Sequence, residues 1–295
     1  MKRTTKLREL LQRPEVLIAP GATDPLVARL VERAGFESVY MSGSGTSLVR
    51  YGLPDIGLVT MTEMVGNARL IADAVTIPLI ADADTGYGNP LNVRRTVREF
   101  ERAGVAAIHL EDQVSPKKCG LLQGKRLIPK VEMVQKIRAA CDVRTDRDFT
   151  IIARCDAPAV TGMEDALDRG RAYVEAGADA LFIQAPRTPE EAVTVGRSFT
   201  IPLLFNISPD GKAAVSSVAD LQRIGYKIVI LPHFPMLAAI KAVSEVLTEI
   251  KTTGSTAGLW DRCAGFAEFL ELAGLGEVQE AERRYGTPDA ERTSI

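Results

Sequence analysis

The chain has 295 residues, 46% of them hydrophobic and 25% charged, and its 36 Lys and Arg nearly balance 38 Asp and Glu. This composition is typical of a globular protein and excludes wholesale disorder and fibrous repeats. A net charge of −2 argues against a broad nucleic-acid-binding surface, and the apolar runs are shorter than the roughly 18 residues of a membrane span. We therefore expect no nucleic-acid partner and no membrane association.

The cysteine and histidine content limits the redox and metal chemistry of the chain. Its four cysteines show neither CxxC spacing nor a disulfide-framework pattern, so we expect reduced thiols in a cytoplasmic protein. The basic residues 1–6 are followed by no apolar stretch, so we expect no secretory signal. Because only two histidines are present, a metal ion would have to rely on oxygen ligands.

Short apolar runs alternate with helical patterns along the chain. Eight runs predict strands: Val16–Pro20, Ser38–Met41, Ile77–Ala81, Ala106–Leu110, Phe149–Ala153, Ala180–Ile183, Pro202–Phe205 and Lys227–Leu231. Most are continuous and rich in Val, Ile and Leu, as are strands buried on both faces of a parallel sheet. Segments between them carry apolar residues at three- and four-residue spacing, which is typical of helices: Pro25–Arg33, Thr60–Val75, Leu91–Arg102 and Ala166–Glu175.

Glycines recur shortly before several predicted strands. Gly35, Gly104, Gly177 and Gly225 each occupy this place, where glycine can adopt the left-handed conformation that ends a helix. Eight strand–helix units in about 250 residues predict an α/β protein with the (β/α)8 TIM-barrel fold. A doubly wound open sheet is the alternative.

The pattern changes after residue 252. Residues 254–258 predict a loop, Leu259–Ala273 and Glu277–Tyr285 predict appended helices, and Thr287–Ile295 predicts a frayed tail. We therefore expect a barrel over residues 1–252 and a C-terminal helical extension over residues 253–295.

Polar residues cluster where the predicted strands end, which is where (β/α)8 barrels carry their active sites. Asp82 and Asp84 lie two residues apart, so on a strand both face the same side, and Glu111 ends the next strand. Three carboxylates at one mouth repel one another unless a cation neutralises them, and Mg2+ prefers such oxygen ligands. The alternative is that these acids cap the helices that follow.

A basic segment with one cysteine follows the fourth predicted strand. Cys119 comes after Lys117 and Lys118 and before Gly120, and adjacent lysines should favour its thiolate. A basic, glycine-containing loop over an acidic metal site is typical of a lid. The alternative is an ordinary solvated loop with an incidental cysteine.

The histidines and Cys155 have separate interpretations. His109 lies in an apolar strand, and we expect it to face into the barrel. Cys155 lies between Arg154 and Asp156, so we expect it to point away from the face that they share. His233 ends the last predicted strand and either reaches the site or caps the next helix.

These motifs resemble the isocitrate lyase/phosphoenolpyruvate mutase superfamily, in particular its short bacterial branch of methylisocitrate lyase, dimethylmalate lyase and phosphonomutase type. The similarity extends over nearly the whole chain. Its most specific parts are Ser42-Gly43-Ser44, Gly52-Leu53-Pro54-Asp55, the run Ala81–Asn89, His109-Leu110-Glu111-Asp112-Gln113 and Pro116-Lys117-Lys118-Cys119-Gly120.

The resemblance implies a metal site, a substrate site and an assembly. It implies Mg2+, with Mn2+ as an alternative, held by Asp55, Asp82, Asp84 and Glu111. It implies that Cys119 protonates a departing enolate, with Arg154 and Lys118 as further candidate catalytic residues. A small carboxylate substrate would contact Ser42, Gly43, Ser44, Asp55, Arg154, Gln184, Asn206, Ser208 and His233. The last helices would be exchanged between the subunits of a homotetramer.

The sequence also departs from the lyase pattern. Leu121 replaces a histidine, Gln184 and Pro209 each replace a glutamate, and His233 replaces a tyrosine. Because charge is removed from the pocket, a substituted malate or an oxaloacetate-like acid becomes more plausible than a tricarboxylate.

We predict a Mg2+-dependent carbon–carbon lyase that acts on a small 2-hydroxy dicarboxylate, a substituted malate or methylisocitrate-like acid, through an enolate. Oxaloacetate hydrolysis or decarboxylation, or P–C bond chemistry on a phosphonopyruvate-type compound, is the second hypothesis. A catalytically inactive barrel retained for binding is the third.

Overall fold

The structure, a computed structural model, describes residues 1–209, 211 and 213–286; the predicted tail Thr287–Ile295 lies outside the described residues. Eight strands are present in this part of the chain: β1 (Leu17–Ala22), β2 (Val39–Met41), β3 (Leu79–Asp82), β4 (Ala107–Glu111), β5 (Thr150–Cys155), β6 (Ala180–Ile183), β7 (Leu204–Asn206) and β8 (Ile228–Leu231). Each lies within two residues of a predicted strand. All eight predicted strands are therefore confirmed.

Nine α-helices precede β8 in the described part of the chain. They are α1 (Arg3–Gln12), α2 (Pro25–Arg33), α3 (Gly43–Tyr51), α4 (Met61–Ala74), α5 (Pro90–Arg102), α6 (Lys130–Val143), α7 (Met163–Glu175), α8 (Pro189–Ser198) and α9 (Val218–Ile224). The four glycines predicted to end helices all have positive φ, between 81° and 114°. Left-handed backbone at these points lets the chain turn from each helix into the next strand.

The strands form one parallel sheet in the order β6-β5-β4-β3-β2-β1-β8-β7. A parallel bridge between Leu181 and Leu203 joins the β6 and β7 sides, so the sheet curves into a barrel. The predicted (β/α)8 fold is thereby confirmed, and the open doubly wound sheet is excluded.

Strand side chains alternate between the interior and exterior of the barrel. Ile80, Ile152, Phe182 and other interior residues form one buried cluster with Leu7, Leu10 and Leu11 of α1. Residues of opposite parity pack in the second cluster with the outer helices. The first helix, which the sequence patterns did not predict, therefore supplies apolar side chains to the interior layer.

The second compact unit begins at Ala239, inside α10 (Phe234–Thr253). The predicted boundary after residue 252 lies near the C-terminal end of this helix. The unit also contains α11 (Phe266–Leu272) and α12 (Leu275–Tyr285), close to the predicted appended helices. None of the helices α10, α11 and α12 contains a buried residue.

Two negative predictions concern the whole chain. The four cysteines are free in the structure, and their reduced state stays a prediction. No helix among the described residues is both long and apolar enough to cross a bilayer. The cytoplasmic location stays a prediction.

Candidate active site

Alternation along the strands directs a set of polar side chains toward one mouth of the barrel. Asp82 is two residues beyond Ile80, and Arg154 is two beyond Ile152, so each shares the parity of an interior residue. Glu111 and Arg154 are directly paired in the register of β4 and β5. The carboxyl ends of these strands therefore bring opposite charges together at the mouth, where barrel enzymes carry their chemistry.

Asp82 is fixed by backbone donors. The Gly43 N–H donates to its Oδ2 at 3.2 Å, and the Asp84 N–H donates to its Oδ1 at 3.0 Å. A Cβ on Gly43 would lie only 2.5 Å from Oδ2, so this close approach requires glycine. Burial opposes ionisation of Asp82, but His109, Lys117 and Arg154, together with the Asp84 N–H, hold its pKa below the ordinary value.

The structure places Gly43 and Ser44 in the first turn of α3. The helix begins there because Ser42 is its N-cap and accepts a hydrogen bond from the Gly45 N–H at 3.1 Å. The Ser42–Ser44 motif is thus the N-terminus of a helix, where the backbone N–H groups and the helix dipole favour an anion.

Lys117 lies between two of the predicted metal-ligating carboxylates. Its Nζ is 2.5 Å from Asp55 Oδ1 and 2.7 Å from Asp84 Oδ1, and its side chain is 4% exposed. Burial raises the pKa of Asp84 to about 6, although Lys117 opposes the shift. Lys117 therefore lowers the pKa of Asp84 less than burial raises it.

Glu111 and Arg154 form a second charged group. Arg154 Nη1 lies 2.9 Å from Glu111 Oε2, while its Nε and Nη2 donate to Asp156 at 2.9 and 3.2 Å. Glu111 Oε1 is buried and accepts no hydrogen bond from the described residues. Burial raises the pKa of Glu111 well above its ordinary value despite the nearby guanidinium.

A metal-ion cage is not preformed in this arrangement. Within the described residues, no three His, Cys, Asp or Glu side chains are placed so that they could hold a metal ion. Lys117 supplies positive charge between Asp55 and Asp84. The oxygen donors and the unpartnered Glu111 Oε1 nevertheless have the chemistry that a divalent cation requires.

Cys119 lies in the loop that follows β4. Its N–H donates to the Asp55 carbonyl at 2.9 Å, so the loop contacts the acidic cluster. Burial raises the pKa of its thiol. The prediction that the adjacent lysines favour the thiolate is therefore wrong. Two lysines nearby in sequence do not outweigh desolvation of the sulfur, so the thiol keeps its proton.

The two adjacent lysines of this loop point to different places. Lys117 enters the site, whereas Lys118 Nζ reaches the Gln123 carbonyl at 3.4 Å, in an exposed part of the loop. Both backbone groups of Lys118 bond to the Gln113 side chain, at 2.9 and 3.0 Å. Sequence reasoning selected Lys118 and missed Lys117, because alternation cannot be predicted for an irregular loop.

The serine motif meets the last strand through His233. His233 Nε2 and Ser44 Oγ are 2.8 Å apart, and Ser44 Oγ lies 3.0 Å from Ser42 Oγ. Burial lowers the pKa of His233, so the ring is neutral at neutral pH. Of the two interpretations of this histidine, contact with the predicted substrate-binding serines is the one observed.

The remaining predicted pocket residues follow the sixth and seventh strands. Gln184 comes directly after β6 and is 3% exposed, Asn206 ends β7, and Ser208 follows it. A Cβ built on Gly120 would lie 2.6 Å from Gln184 Nε2 and 2.7 Å from Arg154 Nη2. The cysteine loop and the ends of β5 and β6 therefore meet at Gly120.

His109 and Cys155 lie where the strand pattern placed them. His109 is fully buried inside the barrel, with its Nε2 2.8 Å from the Tyr40 hydroxyl and its ring stacked on Tyr40. Cys155 is fully buried in the outer cluster. Both predictions are confirmed.

A (β/α)8 barrel with carboxylates, an arginine and a thiol at its carboxyl-terminal mouth is an enzyme architecture. The family model described as phosphoenolpyruvate phosphomutase matches residues 7–251. The chain belongs to this family, and the expected superfamily is confirmed.

Two curated relatives narrow the class to lyases. A 2,3-dimethylmalate lyase from Eubacterium barkeri is 46% identical over 97% of this chain and 99% of its own length. A 2-methylisocitrate lyase from Aeropyrum pernix is 44% identical over 94% of this chain and 89% of its own. The predicted enzyme class, a lyase of this superfamily, is confirmed.

Solved structures agree with the superfamily assignment. A 2,3-dimethylmalate lyase described as a PEP mutase/isocitrate lyase superfamily member has a TM-score of 0.93 at 35% identity, covering 100% of this chain and 99% of that one. An oxaloacetate acetylhydrolase with 3,3-difluorooxalacetate has a TM-score of 0.91 at 34% identity, covering 98% and 99%. A phosphonopyruvate hydrolase complex with oxalate and Mg++ has a TM-score of 0.88 at 36% identity, covering 97% and 99%.

Proposed function

We propose that this protein is a Mg2+-dependent carbon–carbon lyase that cleaves a small 2-hydroxy dicarboxylate of the substituted-malate type. The observation that carries the proposal is the position of Gly120 against Arg154 Nη2, since it places the thiol-bearing loop at the guanidinium. The 2,3-dimethylmalate lyase relative supports a substituted malate. Gln184 in place of a glutamate also favours a small dicarboxylate over a tricarboxylate.

Cleavage of a 2-hydroxy acid breaks a carbon–carbon bond and leaves an enolate. Positive charge and N–H donors must lie where that negative charge develops. Arg154 and the N-terminus of α3 at Ser42–Ser44 fill these roles, binding the carboxylate and the developing oxyanion. The buried Asp156 carboxylate holds the guanidinium through two hydrogen bonds, so Arg154 is oriented before the substrate arrives.

The enolate carbon then needs a proton from a positioned acid. Cys119 fits because its raised pKa keeps the thiol protonated at neutral pH. The S–H bond breaks as the C–H bond forms, and the resulting thiolate lies near Lys117 until solvent returns a proton.

The metal would be held by Asp55, Asp82, Asp84 and Glu111. The orphaned Glu111 Oε1 supports this ligand set, because a buried oxygen without a donor suits a cation. Burial raises the pKa values of Asp84 and Glu111, and a bound cation would oppose that shift. When bound, Mg2+ supplies Lewis-acid stabilisation of enolate charge. A superfamily structure described with oxalate and Mg++ supports the same metal.

Hydrolysis of an oxaloacetate-like substrate is the second candidate. The hydrogen bond between Ser44 and neutral His233 favours it, because a neutral imidazole beside a hydroxyl can accept a proton from water. The oxaloacetate acetylhydrolase structure supports it as well.

The test is an NMR-monitored incubation with Mg2+ and a panel of acids: 2,3-dimethylmalate, methylisocitrate, isocitrate, oxaloacetate and phosphonopyruvate. We expect cleavage of a substituted malate to a 2-oxo acid, lost with EDTA and in Cys119→Ser. Oxalate release from oxaloacetate that survives Cys119→Ser would favour hydrolysis instead. A phosphorus-containing product from phosphonopyruvate would indicate P–C chemistry, and turnover unaffected by EDTA would exclude the metal.

We also propose that the C-terminal helices mediate assembly into a homotetramer. Their large apolar side chains are exposed within the single chain, among them Val243, Leu247, Trp260, Phe266 and Phe269, each at least 56% exposed. Apolar surface of this extent is typical of an interface. A second copy of this chain is the partner that the superfamily resemblance implies.

A further inference from the structure

Lys125 is a buried lysine to which the proposed mechanism assigns no role. Its side chain is 2% exposed, and its Nζ lies 3.3 Å from Asp156 Oδ1. The same ammonium donates a hydrogen bond to the Gly120 carbonyl. One buried cation thus joins the cysteine loop to a carboxylate at the end of β5.

The carboxylate that Lys125 contacts is the one that orients Arg154. Asp156 accepts from Arg154 Nε and Nη2, and its N–H donates to Asp112 Oδ1 at 2.9 Å. Asp112 in turn accepts from the Tyr173 hydroxyl at 2.7 Å. These bonds to Arg154 and Asp112 fix the position of Asp156. The contact with Lys125 therefore ties the loop to an immobilised carboxylate.

The contacts of the loop divide between its two halves. Lys117 and the backbone of Cys119 hold the first half against Asp55 and Asp84. Lys125 holds Gly120 in the second half, where the loop lies against Arg154 and Gln184. Since Gly120 directly follows the thiol residue, its position determines where the sulfur lies relative to the guanidinium.

We propose that Lys125 is a positioning residue that fastens the Cys119–Gly120 segment against the Arg154–Asp156 pair. Its catalytic consequence rests on the proposed lyase function, because the ammonium links the segment that carries the acid to the carboxylate that orients the oxyanion-binding arginine. A buried hydrogen bond to a charged group contributes more than a neutral one. Its loss therefore allows the segment to leave the arginine, which exposes the thiol.

The test compares Lys125→Met with Lys118→Met, which removes a lysine from the same loop whose Nζ reaches only the Gln123 carbonyl. The readout is the rate at which iodoacetamide alkylates Cys119, followed by mass spectrometry of its peptide. We expect about a tenfold faster reaction in Lys125→Met, in line with the loss of one charge-assisted hydrogen bond, and a reaction no faster than wild type in Lys118→Met. Cys155, which is fully buried, reports global unfolding in the same samples.

The direction of the change in alkylation rate distinguishes movement of the Cys119–Gly120 segment from an electrostatic effect on the thiol. Removing a nearby cation disfavours the thiolate and would slow alkylation, so a faster reaction reports movement of the segment. An alkylation rate within twofold of wild type, or slower, with Cys155 still protected would overturn the proposal. If Cys155 becomes reactive in Lys125→Met, Lys125→Gln is measured by the same criteria.

Alkylation requires no turnover, so this experiment is separate from the test of function. A faster reaction in a protein that cleaves none of the panel acids would support the role of Lys125 and count against the lyase. In an active lyase, we expect Lys125→Met to lower kcat about tenfold with little change in KM. An unchanged kcat would show that the fastening has no catalytic role.

Discussion

At the residue scale, the site depends on which side chains are buried together. Lys117 and Lys118 are chemically identical neighbours, yet one lies between Asp55 and Asp84 and the other bonds within an exposed part of its loop. Cys119 shows the same dependence, because burial raises the pKa that nearby lysines were expected to lower. An acid that must carry a proton at neutral pH needs a pKa above neutrality, and the raised pKa of Cys119 meets this need.

The acid role of Cys119 predicts a particular kinetic change. Cys119→Ser keeps the shape of the side chain but replaces the thiol with a much weaker acid, so we expect kcat to fall about 100-fold or more, with KM nearly unchanged. Steady-state kinetics on the substrate identified from the panel would measure this, and Cys141→Ser serves as the control. An equal loss in substrate binding and turnover would contradict the acid role.

At the element scale, strand parity and helix ends determine where the polar groups lie. Asp82, Glu111 and Arg154 share the parity of the interior residues of their strands, so the pattern that buries the core also directs them into the mouth. The N-terminus of α3 was hidden in the sequence by Gly43 and Gly45, which disfavour helix interiors. The Ser42 cap and the close approach to Asp82 account for that helix start.

Asp165, in the first turn of α7, bonds to Arg169, and this contact predicts that the stability of the fold depends on pH. Asp165 accepts from the Thr161 hydroxyl and from Arg169 Nε at 2.8 Å, and Arg169 also contacts Asp112. Burial opposes ionisation of Asp165, but these bonds together lower its pKa below the ordinary value. The carboxylate therefore stabilises the fold above about pH 3.9, the ordinary aspartate pKa, and the contribution is lost as pH falls through the lowered value.

We therefore expect Asp165→Asn to lower Tm at neutral pH, by an amount that diminishes in strongly acidic solution. Because the side chain is 33% exposed, solvent screening keeps the effect below about 1 kcal/mol. Thermal unfolding followed by circular dichroism across the pH range measures it. Glu164→Gln, an exposed acid in the same turn, is the matched control, and a pH-independent difference for Asp165→Asn would contradict the linkage.

At the scale of the whole molecule, the two compact units differ in how they bury apolar residues. The barrel unit has continuous interior and outer clusters, whereas α10, α11 and α12 bury none of their side chains within one chain. Phe266 and Phe269 stack on each other while remaining 73% and 58% exposed. This difference supports the proposal that the second unit forms an interface between subunits.

An assembly through this unit predicts that a charge on its apolar surface reduces the molecular mass in solution. Leu247 is 59% exposed on α10, and we expect Leu247→Glu to dissociate the tetramer by burying an unpaired carboxylate in the interface. Light scattering coupled to size-exclusion chromatography measures the mass. Leu91→Glu, on α5 of the barrel unit, should leave it unchanged, while a monomeric wild-type protein would refute the tetramer.

The sequence alone determined the eight strands, the glycine-terminated helices and the acids at the barrel mouth, because hydrophobic periodicity and backbone preferences are local properties of the chain. It also determined the superfamily through short motifs. The tertiary structure alone decided that Lys117 rather than Lys118 enters the site, that the thiol of Cys119 keeps its proton, and that Lys125 joins the loop to Asp156. Each of these depends on burial and charge contributed by residues far apart in sequence, and an irregular loop has no periodicity from which such contacts follow.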